Sequence, residues 1–291
     1  MPTLRDIKTR IKGVQSTQQI TKAMKLVAAA KLRRAQENIV NARPYARKIS
    51  TMLGHLITEE DRANNPFIVP REVKKALVVV VTADRGLCGA FNSNLIKETI
   101  RYIDEELKPA GVEALLYCVG KKGYEFFSKR NYNICGNKSG IFGKLKYEVS
   151  LDISSYLISG YQKGDFDKVI IIYNEFKSVI QQKIVREEFL PVPSLDGGKA
   201  EHASMNYIYE PGHDGIIEFL LPKHLKAQVW RILLESFASE NGAKMTAMDN
   251  ATANASELIR TLTITFNKAR QASITTEILE IVSGANALKS N

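Results

Sequence analysis

At 291 residues, 44% hydrophobic and 25% charged, the chain is too apolar for a disordered protein and has room for one or two domains. Its three cysteines (Cys88, Cys118, Cys135) and four histidines fall at no spacing that makes a disulfide framework or a zinc site. The longest apolar run, Ala76–Val81, is far short of a membrane span, so the composition argues against an integral membrane protein and for a reduced, intracellular compartment. The net charge of +10 is concentrated. Residues 1–56 carry 12 Lys and Arg against two acids, Asp6 and Glu37; taking these from the totals of 41 and 31 leaves 29 of each sign for the rest. Such a stripe implies an acidic partner, whether nucleic acid, anionic lipid or protein.

The first predicted element is a long helix. Steps of three and four from Leu4 pick out Ile7, Ile11, Val14, Gln18, Thr21, Lys25, Ala28, Leu32, Ala35, Ile39, Ala42, Ala46, Ile49, Leu53 and Leu56. Thirteen of these sixteen positions are apolar, and eleven of the twelve basic residues avoid them, which is a coiled-coil pattern over eight heptads. Pro44 lies inside it and predicts a local bend or break.

Between about 75 and 210 the period changes. Strands are predicted at Ala76–Val81, Val112–Val119, Tyr132–Cys135, Lys168–Tyr173 and Ile180–Phe189, with helices at Asn94–Leu107, Lys121–Lys129 and Tyr147–Tyr161. Alternation of this kind implies crossover units and a mostly parallel sheet. Pro191–Gly212 reads as a loop. Beyond it, from about Pro222 to Leu288, no further proline occurs, and a heptad grid on Met245, Met248, Thr252, Ala255, Ile259, Leu262, Phe266 and Ala269 is apolar at seven of eight positions. The stripe then shifts phase to Ile274, Ile278, Ile281 and Ala285, widened by Leu279 and Val282. Two terminal helices with matching seams predict an antiparallel coiled coil, and the longer one should carry an apolar overhang past its partner.

The turn Asp84-Arg85-Gly86-Leu87-Cys88-Gly89 after the first strand invites a nucleotide reading. It has only G-x-x-G, without the third glycine of a dinucleotide fingerprint or the Gly-Lys-Ser/Thr of a P-loop. Cys88 has no histidine near it in sequence to activate it, and no Ser/His/Asp arrangement stands out. A catalytic centre, cofactor site or metal site is therefore not expected.

Three blocks carry a family resemblance. They are Arg5-Asp6-Ile7-Lys8 with Ser16-Thr17-Gln18-Gln19-Ile20-Thr21-Lys22-Ala23-Met24 and Val27 to Gln36; Asp84 to Gly89; and Asn267 to Glu277 with Glu280-Ile281-Val282-Ser283-Gly284-Ala285. Together they resemble the gamma subunit of F-type ATP synthase, bacterial type, from end to end. The resemblance implies an N-terminal coiled-coil helix at 1–58, a Rossmann-like α/β foot at 75–210 and a C-terminal coiled-coil helix at 213–289. It implies a non-catalytic central-stalk rotor turning inside a ring of three alpha and three beta subunits. The foot would be held by the epsilon subunit and the c ring, on the cytoplasmic face of the cell membrane and peripheral to it.

By the same resemblance, Met24, Lys31, Arg33, Arg34, Arg270, Gln271, Thr275 and Glu277 would contact beta. Ile274, Ile278, Ile281, Val282 and Ala285 would form an apolar bearing tip. Asp84, Arg85, Gly86, Cys88 and Gly89 would lie near epsilon, and Tyr207 and Tyr209 near the c ring. Chloroplast members carry an inserted cysteine pair; no cysteine follows Cys135 here, so that regulation is not expected. The start of the sequence at the family's first block suggests a bacterial protein without a leader, or a mature form. A basic coiled-coil nucleic-acid-binding protein is the alternative, weakened because the charges run along the helix instead of clustering ahead of a zipper. A small nucleotide-dependent enzyme is a third reading.

Overall fold

The computed structural model describes residues 3–179, 181–193 and 212–289. Its order is α1 (Leu4–Leu56), α2 (Glu59–Asn64), β1 (Lys75–Val81), α3 (Phe91–Tyr102), β2 (Glu113–Val119), α4 (Lys121–Phe127), β3 (Ile134–Lys138), α5 (Tyr147–Lys163), β4 (Lys168–Phe176), β5 (Gln182–Leu190) and α6 (His213–Lys289). They form two compact units, one of residues 1–27 with 245–291 and one of residues 28–244.

The larger unit is a three-layer α/β body. Its sheet runs β3-β2-β1-β4-β5, with the first four strands parallel and β5 antiparallel at the edge. β1 is a β-branched run because both faces are covered. Leu77, Val79 and Val81 face Ile153 and Leu157 of α5, Ile49 and Leu53 of α1, and Leu225 and Val229 of α6. Ala76, Val78 and Val80 face the other way, onto Leu95 of α3 and Phe127 of α4.

Several predicted boundaries move, each for a physical reason. The helix after β1 starts at Phe91 and ends in a π-helical turn, Ile103–Leu107, closed by the Lys108 N–H donating to the Ile103 carbonyl five residues back at 2.9 Å. The third strand is Ile134–Lys138 and not Tyr132–Cys135. Asn131 turns the chain at φ +44°, and the Tyr132 ring packs edge-on against Phe127 at 5.0 Å, so its apolar signal is core packing outside the strand. The last strand begins at Gln182; residue 180, where it was predicted to begin, lies outside the described residues. α1 runs through Pro44 without a break. α2, too short to show a helical period in the sequence, opens on a capping box formed by Thr58 and Asp61: the Thr58 hydroxyl accepts the Asp61 N–H at 3.3 Å while the Asp61 carboxylate accepts the Thr58 N–H at 2.8 Å. All sixteen α1 grid positions are buried or half-buried.

Candidate partner-contact surfaces

In the smaller unit the N-terminal part of α1 pairs with the C-terminal part of α6. The Gln18 amide donates to Ser256 Oγ at 2.6 Å, the Thr21 and Thr252 hydroxyls meet at 2.8 Å, and Lys25 Nζ donates to Asp249 Oδ1 at 2.5 Å. In each pair the residue numbers add to 273 or 274, as an antiparallel pair in constant register requires. The three polar positions that interrupted the predicted seam are therefore three successive polar rungs. Their partners, more than 220 residues away, could be found only once the register was known. The seam around them is apolar, with Ile7 buried in α1 and Met248 and Ala255 buried in α6. Thr3 starts α1 with a reciprocal cap: its hydroxyl accepts the Asp6 N–H at 3.2 Å and the Asp6 carboxylate accepts the Thr3 N–H at 3.0 Å.

In this register the first turn of α1 lies opposite Ala269 and Arg270. The half-buried face of α6 ends at Ser273. Past it, Ile274, Ile278, Leu279, Ile281 and Val282 are 47–72% exposed, and Ala285 is exposed as well. This is the phase-shifted stripe, laid bare as the overhang argument predicts. Arg270, Gln271, Thr275 and Glu277 are all exposed just before it or along it. The Thr275 hydroxyl donates to the Gln271 carbonyl at 2.9 Å, and Ser273 Oγ reaches Glu277 Oε1 at 3.5 Å, so the local polar bonds stay within the helix and leave the Arg270 and Gln271 side chains outward. Met24 is half-buried.

In the larger unit Lys31, Arg33 and Arg34 lie on the exposed side of α1, Arg33 pairing with Glu37 one turn on at 3.1 Å. The loop from Asp84 to Gly89 is pinned at two points, Asp84 and Cys88. The Asp84 carboxylate accepts three backbone N–H groups, from Lys121 at 3.0 Å, Gly140 at 2.7 Å and Phe142 at 2.8 Å, which ties together the loops that follow β1, β2 and β3. Cys88 is buried against Ala83, Phe91 and Ala243, and accepts from Asn92 Nδ2 at 3.3 Å. Burial, with Glu240 adding to it, pushes its thiol up, so the group is a packing residue and not a thiolate. Leu87 and Gly89 both sit at positive φ, +64° and +58°, and the Leu87 side chain is presented outward. Arg85 is exposed and Gly86 half-buried. Tyr207 and Tyr209 lie outside the described residues.

The crevice at the carboxyl ends of β1 and β4 is where a doubly wound sheet takes its ligand. Here α6 fills it: Ser236 Oγ donates to the Val81 carbonyl at 3.4 Å, Gly242 passes beside the Phe176 ring, and Ala243 packs on Ala83 and Cys88. The same helix carries a half-buried ionic network with no signal in the local sequence. Arg231 donates to Glu187 at 2.5 Å, to Glu235 at 3.3 Å and to the Tyr173 hydroxyl at 3.1 Å, and Gln228 donates to Glu187 at 2.6 Å. Burial opposes the charge on Glu187, but Arg231 and the bonds from Gln228 and Tyr173 outweigh it and hold the carboxyl below its usual value.

The ATP synthase family model matches residues 3–288. Among curated relatives, the ATP synthase gamma chain of Chlorobium phaeobacteroides is 51% identical, covering 99% of this chain and 100% of that one. The ATP synthase gamma chain of Pelodictyon phaeoclathratiforme is 52% identical, covering 99% of each. This chain belongs to the ATP synthase gamma-chain family. The fold is shared with a chain in the cryo-EM structure of the Euglena gracilis mitochondrial ATP synthase, at a TM-score of 0.67 with 20% identity over 98% of this chain and 94% of that one. A chain of the Tetrahymena thermophila central stalk and c-ring structure gives a TM-score of 0.60, with 24% identity over 80% of this chain and 99% of that one. Membership of the gamma-chain family makes this a non-catalytic subunit. The nucleic-acid reading of the basic stripe finds no support among these relatives. Among the described residues no helix is long and apolar enough to cross a membrane.

Proposed function

We propose that this chain is the rotor of the central stalk of an ATP synthase, carrying rotation of the c ring to the alpha–beta ring and so coupling ion movement to ATP synthesis or hydrolysis. The observation that carries the reading is the pair of helices pinned in register and ending in an uncovered apolar tip, in a chain that matches gamma chains over their whole length. Segments 1–58 and 213–289 serve as the axle and 75–210 as the foot.

The exposed stripe Ile274, Ile278, Ile281, Val282 and Ala285 is the bearing tip; non-directional apolar contact suits a surface that must slide. Met24, Lys31, Arg33, Arg34, Arg270, Gln271, Thr275 and Glu277 are the side chains that meet the beta subunits, supported by their exposure or, for Met24, partial exposure. A row of basic groups facing acidic beta loops gives an attraction that changes with angle. The Asp84–Gly89 loop lies in the neighbourhood of epsilon, its anchoring at Asp84 and Cys88 suited to a fixed contact, and the complex sits on the cytoplasmic face of the membrane. Reconstitution with alpha and beta subunits tests the reading: the chain should co-purify with the ring and its ATP hydrolysis should become coupled to rotation of a bead fixed to the foot. A chain that leaves the ring unbound, or binds without being turned, would overturn it.

A further inference from the structure

The larger unit contains a cavity of about 540 Å³ between α1, the start of α5 and α6. Its floor is apolar, with Ile39, Ala227 and Leu234 all buried. One wall is an aromatic corner, the Tyr147 ring standing edge-on to Trp230 at 5.6 Å and 88°. Tyr45, 55% exposed, stands at the mouth. Two guanidinium groups line the space, and no carboxylate does. Arg231 is committed to Glu187 and Glu235, whereas Arg43 is exposed at the rim on α1.

Ligand sites are typically concave spaces of roughly 300–1,000 Å³, mostly apolar with a few placed polar groups. This one combines that size with aromatic edges and one positive charge. We propose that it binds a small aromatic anion, a flat ring system bearing one carboxylate or sulfonate. The ring inserts against Trp230 and Tyr147, and the acid group meets Arg43 at the mouth. A ring wedged between α1 and α6 would brace these two helices against each other where they cross the sheet. The proposal stands apart from the rotor reading, because it uses residues that reading leaves without a role.

Trp230 is the single tryptophan of the chain, so its fluorescence reports on this wall alone. The full-length chain is titrated with 8-anilinonaphthalene-1-sulfonate, an aromatic anion, and with its uncharged analogue N-phenyl-1-naphthylamine. The expected result is saturable one-to-one quenching of Trp230 by the sulfonate. Arg43→Gln should weaken it about tenfold without changing binding of the uncharged analogue, since a charge-assisted bond is lost and the apolar contact kept. Ala42→Phe, which fills the cavity from α1, should abolish quenching by both probes. Arg43→Gln lies on the exposed surface and keeps the test valid if the filled variant does not fold.

Absence of quenching, or quenching indifferent to Arg43→Gln, overturns the proposal. A titration of the assembled alpha–beta–gamma–epsilon complex separates a second occupant. Loss of the sulfonate site on assembly would mean that a partner's side chain fills the cavity, which also overturns the small-anion assignment. Retention there supports it.

Discussion

The Asp84 carboxylate accepts the backbone N–H of Phe142 at 2.8 Å with the oxygen not used for Lys121 and Gly140. One side chain thus satisfies donors from two separate loops, and its removal leaves three amides without their acceptor. Asp84→Ala should cost about 2–4 kcal/mol, since hydrogen bonds to charged groups contribute roughly 1.5–3 kcal/mol each when well shielded and this carboxylate is half-exposed. Asp84→Asn should cost less, because its carbonyl oxygen can still take Lys121 and Gly140 while its amide opposes Phe142. Urea unfolding followed by circular dichroism orders the two variants; equal stability of Asp84→Ala and the parent would remove the latch from the account.

The half-buried network on α6 gives an effect of similar size. Arg231→Met would leave the half-buried Glu187 carboxylate without its cation; breaking one side of a fully buried pair costs about 3–5 kcal/mol, and solvent reaching this one should bring the loss down to about 2–3 kcal/mol. Replacing Glu187 and Arg231 together, by Gln and Met, should recover much of that loss. Because the folded Glu187 titrates below its unfolded value, the stability it contributes is present above the unfolded pKa and lost as pH falls through the folded one. The parent should therefore lose stability toward acid pH more steeply than the double variant.

His213 titrates in the opposite sense. Its Nε2 lies 2.8 Å from the Leu56 carbonyl at the end of α1, and its Nδ1 lies 3.2 Å from Asp214. Asp61 stands 3.7 Å away. Both ring nitrogens meet oxygens that only accept, so the Leu56 carbonyl first and Asp214 next raise the pKa above the usual imidazole value. The stabilisation is full below the unfolded pKa and lost as pH rises through the folded one. Hydrogen-exchange protection at the end of α1 and in α2, corrected for the intrinsic pH dependence of exchange, should fall as pH rises above the ordinary imidazole value of about 6.5, by no more than about 1 kcal/mol in a half-buried setting open to solvent. His213→Gln should flatten that pH dependence; an unchanged profile would assign it elsewhere.

The polar residues below the tip should matter more than the last residues of the tip. Arg270→Leu with Gln271→Leu removes directional donors, where a charge-assisted bond contributes roughly 1.5–3 kcal/mol; deleting residues 284–291 trims a distributed apolar surface. Reconstituted complexes with the double variant should lose about tenfold or more of their ATP hydrolysis, and the truncated ones less. Circular dichroism controls for folding, since Leu, Arg and Gln have similar helix propensities. Normal turnover by the double variant beside an inactive truncation would make the tip the critical element.

What the sequence revealed followed the range of the interactions. Heptad spacing placed Ile7, Leu32 and Leu53 on the buried side of α1 because a helix repeats every few residues, and Ala76–Val81 declared a doubly covered strand through its β-branched run. The π-helical turn after Tyr102 was not visible, since one misplaced bond leaves no mark on periodicity. Asp84 looked like part of a ligand loop because the N–H groups that donate to its carboxylate come from residues 121, 140 and 142, distant in sequence. The Arg231 network was hidden for the same reason, its main partner lying on β5. Thr58 to Asp61, by contrast, carries a local signal readable from four residues alone, a capping box without a long helical period behind it.

The three polar rungs between Gln18 and Lys25 have a mechanical meaning. Two strands free to slip lengthwise flex like a pair of loose slats, each bending about its own axis. A shift of one heptad would separate all three polar pairs at once and place Asp249 seven residues from Lys25 along the seam. The rungs therefore act as dowels that block shear, and strands denied shear deform together as a single laminated beam. Stiffness in this part of the molecule is then set by three hydroxyl, amide and ionic pegs as much as by the apolar seam around them.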